Sequence, residues 1–162
     1  MSKVVDVNVI CNSAVDISFC SKILNSKPGG AKGADLVSLA RYASEVARSN
    51  VANTIKLTNM LIEKNDTDPK VKAKYNSCLS NFHEQFGCLG HIDSLQKNLK
   101  KGNYYLVNYA ALGIISNADS CLIRDHIEEP PFPDTTNLHT FVDIIRKVAS
   151  IIVLISKILM EK

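Results

Sequence analysis

Between Asp35 and Lys64 the apolar residues return every three or four positions, so that Leu36, Leu39, Ala43, Val46, Val51, Ile55 and Leu61/Ile62 gather on one side of a helix. Gly29, Gly30 and Gly33 precede this helix as a flexible connector, and Asn65-Asp66-Thr67-Asp68-Pro69 stops it and starts the next. Asp68 can accept from the first free amide hydrogens, and Pro69 fits the first helical position, where its missing N–H costs nothing. The second helix is predicted to run on to Lys101, with Tyr75, Cys78, Phe82, Phe86, Leu89 and Ile92 facing inward and Gly87 and Gly90 weakening its middle. Lys101-Gly102-Asn103 supplies a glycine-type stop, with Lys97, Lys100 and Lys101 at the negative end of the helix dipole. In a third helix Val107, Ala111, Ile114, Ala118 and Cys121 make a narrow seam of small and medium residues. Glu128-Glu129-Pro130-Pro131-Phe132-Pro133 breaks the chain, and Asp134 or Thr135 restarts it. Leu138, Phe141, Val142, Ile145, Val148, Ile152, Ile155 and Leu159 then form the broad apolar face of a last helix.

Four segments of about 25 to 30 residues give rods of about 35 to 45 Å, and short connections make sequential rods antiparallel. The pattern therefore predicts an all-α fold, an up-down-up-down four-helix bundle. Val5-x-Val7-x-Val9 alternates like a strand, but no second strand is available to pair with it. Residues 1–30 are accordingly read as a helical extension with two short pieces around Cys11 and Cys20, and residues 31–162 as the bundle, together one domain over 1–162.

Composition narrows the function. At 162 residues, 46% hydrophobic and 22% charged, the chain has material for one core. Its most apolar run, Val148 to Ile155, is far short of the roughly 18 residues of a membrane span. The net charge of +3 is scattered without a basic stripe, which argues against a nucleic-acid partner. Met1-Ser2-Lys3 leads into a short apolar run with no cleavage site, so the chain is either cytosolic or lacks a signal peptide it once carried. Asn65-Asp66-Thr67 is an N-glycosylation sequon in a polar segment and favours secretion.

Catalytic signatures are absent: there is no G-x-S-x-G, H-E-x-x-H or G-x-x-x-x-G-K-[ST] and no convincing carboxylate pair, so an enzyme is not expected and neither is a cofactor. Cys88-x-x-His91, with Glu84 a turn away, offers too few nitrogen and sulfur ligands for zinc, and no metal is expected. His83, His126 and His139 read as surface residues. Gly29-Gly30-Ala31-Lys32-Gly33 lacks the preceding strand of a phosphate loop and reads as a connector.

The order of landmarks does carry information. Cys11-Asn-Ser-Ala-Val-Asp-Ile-Ser-Phe-Cys20, Asp35-Leu-x-x-Leu-Ala40, Thr67-Asp-Pro-Lys-x-Lys-x-x-Tyr75-x-x-Cys78, Lys101-Gly-Asn-Tyr104 and Pro130-Pro131 follow one another at spacings that resemble the plant invertase and pectin methylesterase inhibitor family over essentially the whole chain. The resemblance implies a secreted, disulfide-braced bundle with an N-terminal helical hairpin that docks on a cell-wall carbohydrate enzyme and blocks it. It also implies the disulfides Cys11–Cys20 and Cys78–Cys121, with Cys88 a free thiol. Facing supports the second pair: on one continuous helix Cys78 lies in the Tyr75, Phe82, Phe86 stripe, whereas Cys88 is turned from it by roughly 110° onto a shoulder with Asn81 and Glu84.

Beside the core seam of the third helix runs a second stripe, Tyr105, Tyr109, Gly113, Asn117, Ser120 and Arg124, which pairs tyrosine contact area with a glycine for close approach. Together with Glu84 these residues, as far as Ser120, are the candidate partner-binding set, since the resemblance places the enzyme-binding surface on the middle bundle helices. After Cys78 the sequence Leu79-Ser80-Asn81-Phe82-His83-Glu84 holds a single acid where pectin methylesterase inhibitors tend to carry several, and Leu122-Ile123 follow Cys121. The Pro-Lys-Phe of invertase inhibitors is replaced by Tyr104-Tyr105-Leu106, while Asn103-Tyr104 is similar to the Asp-Tyr of pectin methylesterase inhibitors. Pectin methylesterase is thus the expected partner, with acid invertase the alternative and a reduced cytosolic scaffold a third reading.

Overall fold

A computed structural model describes residues 3–123 and 137–161. Among the described residues there are seven helices: α1 (Val7–Cys11), α2 (Ile17–Asn25), α3 (Leu36–Lys64), α4 (Pro69–Ser80), α5 (Cys88–Lys101), α6 (Tyr104–Leu122) and α7 (Leu138–Met160). Five of the seven begin on a side chain that caps the first turn. Asp6, Asp16, Asp35, Asp68 and Asn103 each accept from a backbone N–H two or three residues ahead. Pro69 occupies the first turn of α4, and Gly102 ends α5 in the left-handed conformation. The restart at Asp134 or Thr135, the Pro130-Pro131 landmark, Arg124 and His126 lie outside the described residues.

The bundle is a ring in which α3 packs on α4, α5 and α7, and α6 packs on α5 and α7. Cross-links show the antiparallel order. Arg48 of α3 pairs with Asp93 of α5 at 2.5 Å. On α6, Asn108 Nδ2 donates to Ser156 Oγ of α7 at 2.9 Å, and Asp119 pairs with Arg146 at 2.6 Å. The centre is aliphatic and tight: Leu36, Leu39, Ala43, Val51, Val107, Ala111, Ile114, Ala118, Val142, Ile145, Val148, Ile152 and Ile155 are fully buried. Thr54 and Thr58 are buried too, but their hydroxyls donate to the Asn50 and Thr54 carbonyls at 2.7 Å, so no bare polar group enters the core.

Two disulfides tie the elements, Cys11–Cys20 across the α1–α2 hairpin and Cys78–Cys121 between α4 and α6. The hairpin rests on α7, where Lys147 Nζ reaches Asp16 at 3.0 Å and Asp143 at 3.2 Å and lies 5.5 Å from the centre of the Phe19 ring. The hydrogen bond that the Asp16 carboxylate accepts from the Phe19 N–H, and after it Lys147, lower the Asp16 pKa, and the two acids raise the Lys147 pKa. The Val5-x-Val7-x-Val9 alternation makes no strand; Val4 forms one isolated bridge with Asp35, and Val7 already begins α1.

One predicted element is corrected. The helix expected from Pro69 to Lys101 is interrupted at residues 81–87, dividing it into α4 and α5. Gln85 adopts a φ of 70° there, a left-handed conformation that ends any helix. Gly87 and Gly90 permit the fold-back, since a Cβ on either would come within 2.3 Å of the His83 or Gln85 carbonyl oxygen. The interruption resets the helical phase. Phe86, expected inside, is 87% exposed, and Cys88, expected on the shoulder, is completely buried.

Candidate functional site

The outward surface of α6 has a composition unlike that of an ordinary solvated helix. No Asp, Glu, Lys or Arg occurs from Tyr104 to Ala118, although 22% of the chain is charged. At 100° per residue Leu112, Tyr105, Ser116, Tyr109 and Ser120 fall within one arc of about 80°, opposite the Val107, Ala111, Ile114, Ala118 seam. Tyr105 is 70% exposed, Tyr109 66% and Leu112 49%, and Leu106 shows its edge. Asn103 begins the helix by accepting from the Leu106 N–H at 3.3 Å, so these side chains stand on a capped, regular element. Ser120 is exposed, and its hydroxyl donates to the Ser116 carbonyl at 2.9 Å.

Two members of the predicted stripe have internal duties. Gly113 meets the imidazole of His91 from α5: a Cβ there would lie 2.6 Å from the ring. The close approach foreseen for a partner is thus taken up by His91, and a large substitution at Gly113 would have to expel that ring. Burial against α6 lowers the pKa of His91 and favours the neutral imidazole. Asn117 turns its amide inward as well, donating to the carbonyls of Phe86 and Gly113 at 3.1 Å each. It fastens the 81–87 turn to α6.

That turn contributes the residue that helical periodicity hid. Phe82 and Phe86 stand four apart and read as one inward stripe, yet Phe82 is buried and Phe86 projects into solvent beside Asn117. Glu84 is exposed on the same turn and presents the only acid between Cys78 and Cys88. Its backbone carbonyl accepts from the Phe86 N–H at 3.1 Å.

The remaining candidates lie away from this face. Cys88 is sealed inside, where its Sγ donates to the Ile114 carbonyl at 3.6 Å and burial pushes the thiol pKa up to about 12. Asn65 caps the C-terminus of α3 and donates its Nδ2 to the Leu61 carbonyl at 2.7 Å, so the amide of the sequon is engaged in the cap. Among the described residues no group of three or more His, Cys, Asp or Glu side chains converges as a metal site, and His91 faces Gly113 and not a ligand cluster. No helix among the described residues is long and apolar enough to cross a membrane. Chemically the arrangement offers an uncharged aromatic and aliphatic face on α6, bordered by the turn with its one acid, Glu84.

Known proteins are similar to this chain in sequence and fold. The family model described as plant invertase/pectin methylesterase inhibitor matches residues 6–153. A pectinesterase inhibitor of Actinidia deliciosa is 29% identical over 154 residues, covering 94% of this chain and 78% of its own length. Pectinesterase inhibitor 1 of Arabidopsis thaliana is 25% identical over 117 residues, covering 72% of this chain and 62% of its own. Among solved structures, a mutant form of a pectin methylesterase inhibitor from Arabidopsis superposes with a TM-score of 0.78 at 24% identity, over 96% of this chain and 98% of that one. A second, a pectin methylesterase inhibitor from Arabidopsis thaliana, gives a TM-score of 0.68 at 23% identity, over 96% and 97%.

Proposed function

Because the chain belongs to the plant invertase/pectin methylesterase inhibitor family, we propose that it inhibits a plant pectin methylesterase by covering the active-site cleft with the exposed face of α6 and the adjoining turn. The observation that carries this reading is the uncharged surface on which Tyr105 and Tyr109 stand open to solvent. Tyrosine supplies large contact area at low conformational-entropy cost, which is why it is enriched in docking surfaces. From Tyr105 to Ser120 the face is about 23 Å long, enough for one side of an interface of standard size once the turn is added.

Inhibition on this reading is stoichiometric, reversible and non-covalent. The thiol is buried and protonated, and nothing on the face activates a hydroxyl. The Cys78–Cys121 bridge holds α4 to α6 before the partner arrives, so little order has to be created on docking. The proposed site of action is the extracellular cell-wall space, where the Cys11–Cys20 and Cys78–Cys121 bonds persist in an oxidising environment. Pectin methylesterase is favoured over acid invertase because the three positions after Asn103 are Tyr104-Tyr105-Leu106, without the Pro-Lys-Phe of invertase inhibitors.

The test is a parallel titration of a plant pectin methylesterase and a plant acid invertase with the oxidised chain. Loss of esterase activity with an equivalence point at one chain per enzyme, and unchanged invertase turnover, is the expected result. Inhibition of the invertase alone would reassign the target, and inhibition of neither would remove the inhibitory reading.

A further inference from the structure

Phe86 combines three properties that are costly to keep together. It is the second most exposed large apolar side chain among the described residues, 87% open to water. Its backbone is nonetheless held from several sides. Asn117 Nδ2 donates to its carbonyl, its own N–H donates to Glu84 O at 3.1 Å, and the turn is closed below by Cys88 N–H to Asn81 O at 2.9 Å and Leu89 N–H to Phe82 O at 3.2 Å. Third, the residue before it, Gln85, occupies the left-handed region at φ 70°, a conformation that a side chain other than glycine adopts at a cost. A loop that merely joined two helices would need neither the strain nor the exposed ring.

The position of the ring gives it a use. Asn117 joins the Phe86 carbonyl to the Gly113 turn of α6, so the turn that carries the ring is fastened to the flank of α6 beside the uncharged stripe of Tyr109, Leu112 and Ser116. We propose that Phe86 is an apolar anchor of the esterase-binding face, inserting into an uncharged pocket at the rim of the pectin methylesterase cleft while Asn117 acts as the positioning residue that fixes its turn. This rests on the function proposed above, and it adds a contact residue and a partner chemistry. The pocket that receives Phe86 is lined by aliphatic or aromatic groups, since the exposed ring offers nothing to satisfy a charge opposite it, while Glu84, exposed on the same turn, meets polar groups at the pocket's rim. Anchors of this kind dominate binding when they are rigid before contact and fill a desolvated pocket.

The experiment measures binding of four chains to a plant pectin methylesterase by calorimetric titration: wild type, Phe86→Ala, Asn117→Ala and the double variant, with melting temperatures recorded alongside. The exposed ring contributes little to the folded chain, so Phe86→Ala is expected to melt as wild type does yet to bind roughly ten- to thirtyfold more weakly. Asn117→Ala should weaken binding by a smaller factor, and adding it to Phe86→Ala should change little further, because it acts through the ring. If wild type binds and Phe86→Ala binds equally well, the anchor is refuted while the inhibitory function stands. If the two single variants multiply independently, Asn117 does not act through Phe86 and its positioning role is refuted. If wild type does not bind the esterase, or instead forms a dimer that Phe86→Ala dissociates, the function proposed above and this anchor fall together.

Discussion

Phe86 and Cys88 are two residues apart and have opposite fates, one ring in water and one thiol in the core. The cause is the left-handed step at Gln85, after which α5 starts in a new phase and carries Cys88 under Ile114. Burial penalises the thiolate, so the folded-state pKa is pushed up from the ordinary thiol range to about 12. The folded chain therefore retains the thiol proton that the unfolded chain gives up. Stability from this group is complete below the ordinary thiol range and declines as the pH climbs from there through the folded value. In the native protein at pH 8, Ellman's reagent is expected to find no reactive thiol, and one per chain once denaturant is added. Rapid labelling of the native chain would mean that Cys88 is not buried. The stripe on α6 teaches a similar lesson about single residues. The exposure of Tyr105 and Tyr109 could be read from helical spacing alone. Gly113 and Asn117 share that spacing but serve His91 and Phe86, because periodicity says which way a side chain points and nothing about which neighbour arrives there.

At the level of the element, α3 and α6 were readable because each combines an apolar period with a polar N-cap, Asp35 or Asn103, and α7 because of its broad apolar face alone. The interruption between α4 and α5 was hidden because Phe82 and Phe86 satisfy the helical spacing on their own, and only Gly87 and Gly90 marked the site. The Cys78–Cys121 pairing is present although part of the facing argument for it assumed an unbroken helix. Cys78 does face the core beside Tyr75, as that argument required. Cys88 is excluded for another reason, its place under Ile114. This bridge closes a loop with a sequence separation of 43, and in the chain-entropy model such a closure adds about 4 kcal/mol. Replacing both cysteines by alanine is expected to lower the melting temperature by roughly 8 to 16 °C in a calorimeter. An unchanged melting temperature would show that α4 and α6 are held by packing alone.

On the scale of the molecule, polar links between the helices frame the proposed docking face. Arg48 with Asp93, Asn108 with Ser156, Arg146 with Asp119, and Lys147 with Asp16 and Asp143 fix α3, α5, α6, α7 and the hairpin to one another. The outward arc of α6 is left without charge. A rigid frame that leaves one uncharged aromatic surface open suits an inhibitor that blocks by contact, and Tyr109 stands within that surface, 66% exposed. The most direct measurement is therefore titration of a plant pectin methylesterase with the Tyr109→Arg chain, which places a bulky cation on the neutral face. The account predicts at least a roughly tenfold loss of inhibitory potency with helicity and melting temperature unchanged. Inhibition at wild-type potency by a folded Tyr109→Arg chain would contradict it and move the binding surface away from α6.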